Sequence, residues 1–154
     1  MSIILEIQDI KTQDTYSIRH RVLRPERPIS ECHFSGDNDD GTFHLGIFQN
    51  SKLIGVASFM KNSNPFFESL TQFQLRGMAI LPEFKIQGHG SLLLKEGEKI
   101  IDLKHKDAML WFNARVTAVD FYKKHGYQIF GKTFEVPGVC EHIVMYRVID
   151  NWLK

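Results

Sequence analysis

An α/β fold of the α+β kind, with a mixed and largely antiparallel central sheet flanked by helices, is what this sequence predicts. Three observations carry that expectation. Apolar, β-rich runs crowd the first eighty residues; the hydrophobic period changes to a helical spacing after Pro82; and strand-like and helix-like runs alternate from there on. No internal repeat, low-complexity tract or linker interrupts the 154 residues, so the expectation is one domain over 1–154.

The elements follow in order. "IILEI" predicts a short strand, and a helix is expected from about Lys11 to Val22. Two prolines in "RPERPIS" then break the pattern, and "SGDNDDGT" (35–42) reads as a polar, acidic loop. "FHLGIFQ" and "KLIGVASFM", parted by "NSK", predict a hairpin. "TQFQLRGMAI" alternates as a strand. From Gly90 to Lys104, Leu93, Gly97, Ile100, Ile101 and the stem of Lys104 keep helical spacing. Gly97 weakens that helix by roughly 1 kcal/mol relative to Ala, which suggests close packing on the sheet. "AMLWFNA" is an apolar strand, and "VTAVDFYKKH" an amphipathic helix with Gly126 placed to terminate it. "YQIFG" and "HIVMYRVI" supply two more strands. Twelve phenylalanines, five of them between 59 and 84, predict a sheet core packed by rings.

Composition narrows the function classes. Hydrophobic residues make up 43% and charged residues 24%, as in ordinary globular proteins, and the formal net charge is +1. Such a balance gives no electrostatic reason to expect a nucleic acid or an anionic membrane as partner. The N-terminal apolar run is too short for a signal peptide or a membrane span. Cys32 and Cys140 are too few for a disulfide framework and show no zinc spacing, so a cytoplasmic chain without a metal is expected.

The chemistry starts at "KIQGHGSLLL" (85–94), where two glycines open a helix. Unpaired backbone N–H groups and the helix dipole converge at such a turn and favour an anion. A Walker loop does not fit. The Gly-x-Gly-x-x-Gly fingerprint fails because its last position is Leu93, which argues against a dinucleotide. What remains is a strand ("QLRGMAI"), Leu-Pro, a turn, Gly-x-Gly-Ser and a helix. This segment, 75–94, resembles the acyl-CoA-binding segment of the GNAT superfamily of N-acetyltransferases. The family's Gln/Arg-x-x-Gly-x-Gly/Ala reads here Lys85-Ile86-Gln87-Gly88-His89-Gly90, with a point charge in place of a planar fork at Lys85. A second segment, "NARVTAVDFYKKHGY" (113–127), is similar to the family's next one. The two cover the C-terminal half; the N-terminal half matches only in the order of its elements.

The resemblance implies that backbone N–H groups of Gln87, Gly88, His89, Gly90 and Ser91 cradle the pyrophosphate of CoA, with Lys85 beside them. The ring of His89 matters less than its N–H. It also implies that Met78 and Ile80 lend backbone groups to the pantetheine arm, and that Tyr122 sits near the thioester sulfur and protonates the departing thiolate. Tyr122 follows Phe121 on its helix, so the two rings should point to different sides. Asn113 has the chemistry to orient the arm or a water, or simply to cap its strand.

An amine nucleophile must be neutral before it attacks, yet the strand 71–80 holds no carboxylate. Candidate bases are His44, Glu135, Glu141 and His142, and a water chain could replace them all. His142 is preferred because imidazole accepts protons near neutral pH. Cys140 beside His142 also invites a thiol-hydrolase reading, for which no orienting group is evident. The charged runs "KEGEK" and "LKHKD" read as solvated helix faces. "DNDD" (37–40) reads as a solvated loop, or as an attractor for a cationic amine.

The expected activity is transfer of an acetyl group from acetyl-CoA to the primary amine of a small molecule, or else to a protein amine, by direct attack in a ternary complex. The competing reading is a catalytically silent acyl-CoA sensor or interaction module. The acceptor's identity stays open, as does the oligomeric state, with which a homodimer is compatible.

Overall fold

In the computed structural model, residues 2–68, 71–138 and 140–150 are described. In chain order the elements are β1 (Leu5–Ile10), α1 (Tyr16–Leu23), β2 (Phe43–Gln49), β3 (Lys52–Met60), β4 (Gln72–Ile80), α2 (His89–Lys104), β5 (Ala108–Arg115), α3 (Val119–Lys124), β6 (Gln128–Glu135) and β7 (Glu141–Ile149). One seven-stranded sheet runs in the order β1-β2-β3-β4-β5-β7-β6. Every neighbouring pair is antiparallel except β4 and β5, which are parallel. The mixed, largely antiparallel sheet expected from the sequence is therefore present.

Local chemistry explains most boundaries. The β2–β3 hairpin turns on Asn50 and Ser51, whose φ angles of 49° and 70° suit a two-residue primed turn. The helix expected over 11–22 is split: Thr12–Thr15 forms a 3-10 turn before α1 begins. Short polar side chains bond the backbone there, Thr15 Oγ to the Thr12 carbonyl at 2.6 Å and the Lys11 N–H to Asp14 at 3.0 Å. Gly126 (φ +87°) ends α3, and the Tyr127 N–H returns to the Tyr122 carbonyl.

The helices divide between the two faces of the sheet. Neighbouring residues on β3 point opposite ways. Phe59 meets α2, where a Cβ on Gly97 would lie 2.1 Å from its ring; Ser58 meets α1 through Arg19 at 2.8 Å. So α2 covers one face and α1 the other. Leu93, Leu94 and Ile101 of α2 join Phe59, Leu110, Phe112 and Met145 in the main core. Ring packing holds there, with Phe43 stacked on Phe59 at 4.9 Å, though Phe66 lies out at the surface.

Two solvated readings are corrected by burial. Glu98 is only 2% exposed. It accepts a 2.7 Å bond from the Tyr127 hydroxyl and faces Arg147 at 3.3 Å, because position 98 falls on the same helix stripe as Leu94 and Ile101. Asp37 is likewise interior, at 2%, where it pairs with the fully buried Arg19.

Candidate active site

The site begins where the sheet comes apart. Gln72, Phe73 and Gln74 lie opposite Met109, Leu110 and Trp111, and beyond them β4 and β5 no longer pair. A bulge sits on the β4 side of the gap. Ser58 faces Arg76 and Val56 faces Ala79, so Gly77 and Met78 together oppose Ala57. Gly77 takes φ +63°, and a Cβ there would come within 2.8 Å of Phe34. β5 meanwhile stays paired to β7 along its whole length. The edge of β4 over 75–80 thus has no strand partner towards β5, which leaves a place for an extended arm.

A cleft of about 1160 Å³ fills this opening. Met78, Ile80, Lys85, Gly88, His89, Gly90, Ser91, Asn113, Tyr122 and His142 line it; of the residues expected to hold CoA, Gln87 does not.

On the α2 side the lining is backbone. Gly88 (φ +86°) precedes α2 without a side-chain cap, and a Cβ there would meet nothing within 4 Å. Among the described residues, the N–H groups of Gln87, Gly88, His89, Gly90 and Ser91 have no internal acceptor. Those orphan donors and the positive end of a 16-residue helix meet at the cleft wall. The turn is fixed from inside. His89 is 3% exposed, and its Nδ1–H donates to the Phe84 carbonyl at 2.9 Å. The Ser91 hydroxyl donates to Nε2 of His125 at 2.7 Å, while Nδ1–H of His125 donates to the Phe121 carbonyl, tying α2 to α3.

Tyr122 lines the cleft from the α2 side, its ring 4.2 Å from Phe112. Burial pushes its phenol up to about 12. Phe121 and Tyr122 do not diverge as expected: their rings are 5.1 Å apart and both line the cleft. Residues about 100° apart on a helix can edge the same opening.

A profile describing an acetyltransferase (GNAT) domain matches residues 20–147. The uncharacterized N-acetyltransferase YitI of Bacillus subtilis (strain 168) is 40% identical over 146 residues, covering 95% of this chain and 97% of that protein. The chain belongs to the GNAT acetyltransferase family. Among solved structures, FeeM, an N-acyl amino acid synthase from uncultured soil microbes, matches with a TM-score of 0.77 at 12% identity, over 98% of this chain and 94% of that one. An aminoglycoside 6'-N-acetyltransferase complexed with coenzyme A matches at 0.71 and 13%, over 94% and 97%. At those identities the likeness is one of fold. Family membership makes this chain an acyltransferase, and a GNAT fold implies acyl-CoA binding. The orphan N–H groups and the open space at Gly88 fit the phosphates of such a donor.

On the α1 face the GNAT cleft has a different character. Period-two alternation and the pairing of Arg115 with His142 put Asn113, Arg115 and His142 on the face opposite α2. His142 is 8% exposed; its Nδ1–H donates to the Cys140 carbonyl at 2.8 Å, and Nε2 has no partner among the described residues. Of the four candidate bases it is the one in the cleft lining. His44 is enclosed by Ser58, Thr12 and the Asp37 carbonyl, while Glu135 and Glu141 are exposed elsewhere. Cys140 is outside the lining and offers His142 a carbonyl rather than its sulfur, so the thiol-hydrolase reading has no geometry behind it.

Arg76, Phe34 and His125 were missed by sequence reasoning. The polar alternation Gln72, Gln74, Arg76 along β4 was the signal for the first. Phe34 and His125 take their places through contacts distant in sequence. Among the described residues no group of three or more His, Cys, Asp or Glu is arranged to hold a metal, and no helix is long and apolar enough to cross a membrane.

Proposed function

We propose that this GNAT protein moves an acetyl group from acetyl-CoA to the primary amine of a small molecule by direct attack in a ternary complex. The observation that carries this reading is the two-sided cleft at the β4–β5 gap. Orphan N–H groups and the Tyr122 phenol line it on the α2 side, and an imidazole nitrogen without a partner among the described residues lines it on the α1 side.

The roles follow from chemistry. Gln87 to Ser91 hold the pyrophosphate through backbone N–H groups, with Lys85 adding charge. Met78 and Ile80, on the unpaired edge of β4, orient the pantetheine arm and polarise the thioester carbonyl. Asn113 orients the arm or a water from the α1 side. The acceptor ammonium loses one proton to Nε2 of His142 and on to water. The N–C bond then forms as the C–S bond breaks, the nitrogen gives up its second proton, and the sulfur ends as a thiol.

Tyr122 assists by donating a hydrogen bond to the departing sulfur. Its phenol, at about 12, stays protonated at any physiological pH. The burial that keeps the phenol neutral would also disfavour a bare thiolate beside it, so a hydrogen bond from Tyr122 stabilises the sulfur as charge develops on it.

Steady release of the CoA thiol from acetyl-CoA, followed across a panel of primary amines, tests the reading. Amine-dependent release supports it. Tight CoA binding with no release from any amine would instead leave a silent acyl-CoA binder.

A further inference from the structure

The acceptor half of the cleft is basic, and three of its four arginines have no carboxylate partner among the described residues. Arg24, Arg27, Arg76 and Arg115 line it, against one carboxylate, Glu26. Arg27 is engaged by Glu31 at 3.4 Å, but among the described residues Arg24, Arg76 and Arg115 have no carboxylate within 4 Å. Arg76 is half-buried, with one long bond to the Ser35 carbonyl at 3.4 Å. Arg24 donates to the Glu31 carbonyl at 3.0 Å.

Phe34 organises the cluster. The guanidinium carbons of Arg19, Arg76 and Arg24 lie 4.0, 4.5 and 5.2 Å from its ring centre. Both oxygens of the nearby Asp37 are taken by Arg19, at 2.8 and 2.9 Å. The charge of Arg19 is thereby answered, while those of Arg76 and Arg24 are not. Burial and the neighbouring Arg19 charge lower the pKa of Arg76, and Asp37, more than 4 Å away, offsets them only in part. Half-burying a guanidinium without a carboxylate is costly for a fold that gains nothing from it.

These groups do not belong to the CoA cradle. Arg76 faces Ser58 across the β3–β4 pair and Arg115 faces His142 across β5–β7, which places both on the α1 face, whereas the orphan N–H groups belong to α2. The acidic 35–42 loop, which the sequence offered as a solvated loop or as an attractor for a cationic amine, contributes no residue to the cleft.

Resting on the transferase reading above, we propose that the acceptor is a small primary amine carrying an oxyanion, a carboxylate or a phosphate, which Arg76 receives with help from Arg24 and Arg115 while His142 deprotonates the amine. A planar guanidinium fork suits either oxyanion, and Phe34 holds that fork in place.

The test uses matched amines with acetyl-CoA: an amino acid against its amide, and an aminoalkyl phosphate against the parent amino alcohol. The kcat/KM of the oxyanion member should exceed that of its neutral partner by about 10- to 100-fold, and more at low salt. The preferred pair separates carboxylate from phosphate. In Arg76→Gln the ratio within that pair should fall at least tenfold, while the affinity for CoA, measured by calorimetry, holds. Equal turnover within both pairs overturns the proposal and leaves the transferase intact. If no amine is turned over, calorimetry of the same pairs on CoA-loaded protein decides. Tighter binding of the oxyanion member, lost in Arg76→Gln, upholds the anion site, and equal or absent binding refutes it.

Discussion

A tyrosine whose hydroxyl has no hydrogen-bond partner among the described residues, set in the lining of the cleft, is placed on the proposed reading to offer a hydrogen bond to charge that develops there. Replacing Tyr122 with Phe keeps the ring on Phe112 and removes the donor. Turnover should fall about 100-fold with CoA affinity kept, which steady-state kinetics and calorimetry read separately. Unchanged turnover would take Tyr122 out of the mechanism. His142→Gln should lower turnover at neutral pH and recover part of the loss as pH rises, because the acceptor then supplies its own neutral amine. A loss that stays constant from pH 7 to 9.5 would assign His142 a role other than base. That Tyr122 reaches the cleft was legible because it lies in a contiguous segment, whereas which of the four candidate bases lines the cleft depended on the β5–β7 register.

At the scale of the element, α2 carries both a packing constraint and a binding one. Gly97→Ala would improve helix propensity by about 1 kcal/mol, yet its Cβ would sit 2.1 Å from the Phe59 ring. Overpacking of that kind costs about 1–3 kcal/mol, so the variant should be less stable in urea denaturation. Gly88→Val meets open space in the protein itself, apart from the strain of φ +86°. It should therefore remain folded and lose CoA binding, because the added side chain occupies the space over the orphan N–H groups. Retained affinity would refute the cradle. Strands, hairpin and helix ends were legible here because glycine, proline and hydrophobic period act locally. Glu98 was not, since one charged position inside a polar run looks solvated until Tyr127 and Arg147 close on it.

Across the whole molecule, Arg19 joins parts of the chain that no local pattern relates. It bonds the Cys32 carbonyl, both oxygens of Asp37 and the Ser58 hydroxyl, fixing α1 and the 33–42 segment to the α1 face of the sheet. The same network fixes Phe34, whose N–H donates to Asp37 at 2.8 Å, and with it the basic wall of the cleft. Burial alone would raise the Asp37 carboxyl, but the bonds from Arg19 and the Phe34 N–H outweigh it and hold the pKa below its ordinary value. A folded-state pKa beneath the unfolded one stabilises the protein fully above pH ~4. That stabilisation is lost as pH falls through the folded value. Asp37→Asn should cost about 3–5 kcal/mol at neutral pH, because it leaves Arg19 charged, buried and unpaired. As pH falls below about 4 the unfolded carboxyl takes up its proton before the folded one does, so the gap between the two proteins should narrow progressively. Denaturation of both at pH 7, 5 and 3 reads this directly, and a gap of constant size would show that the loss comes from packing rather than from the buried charge.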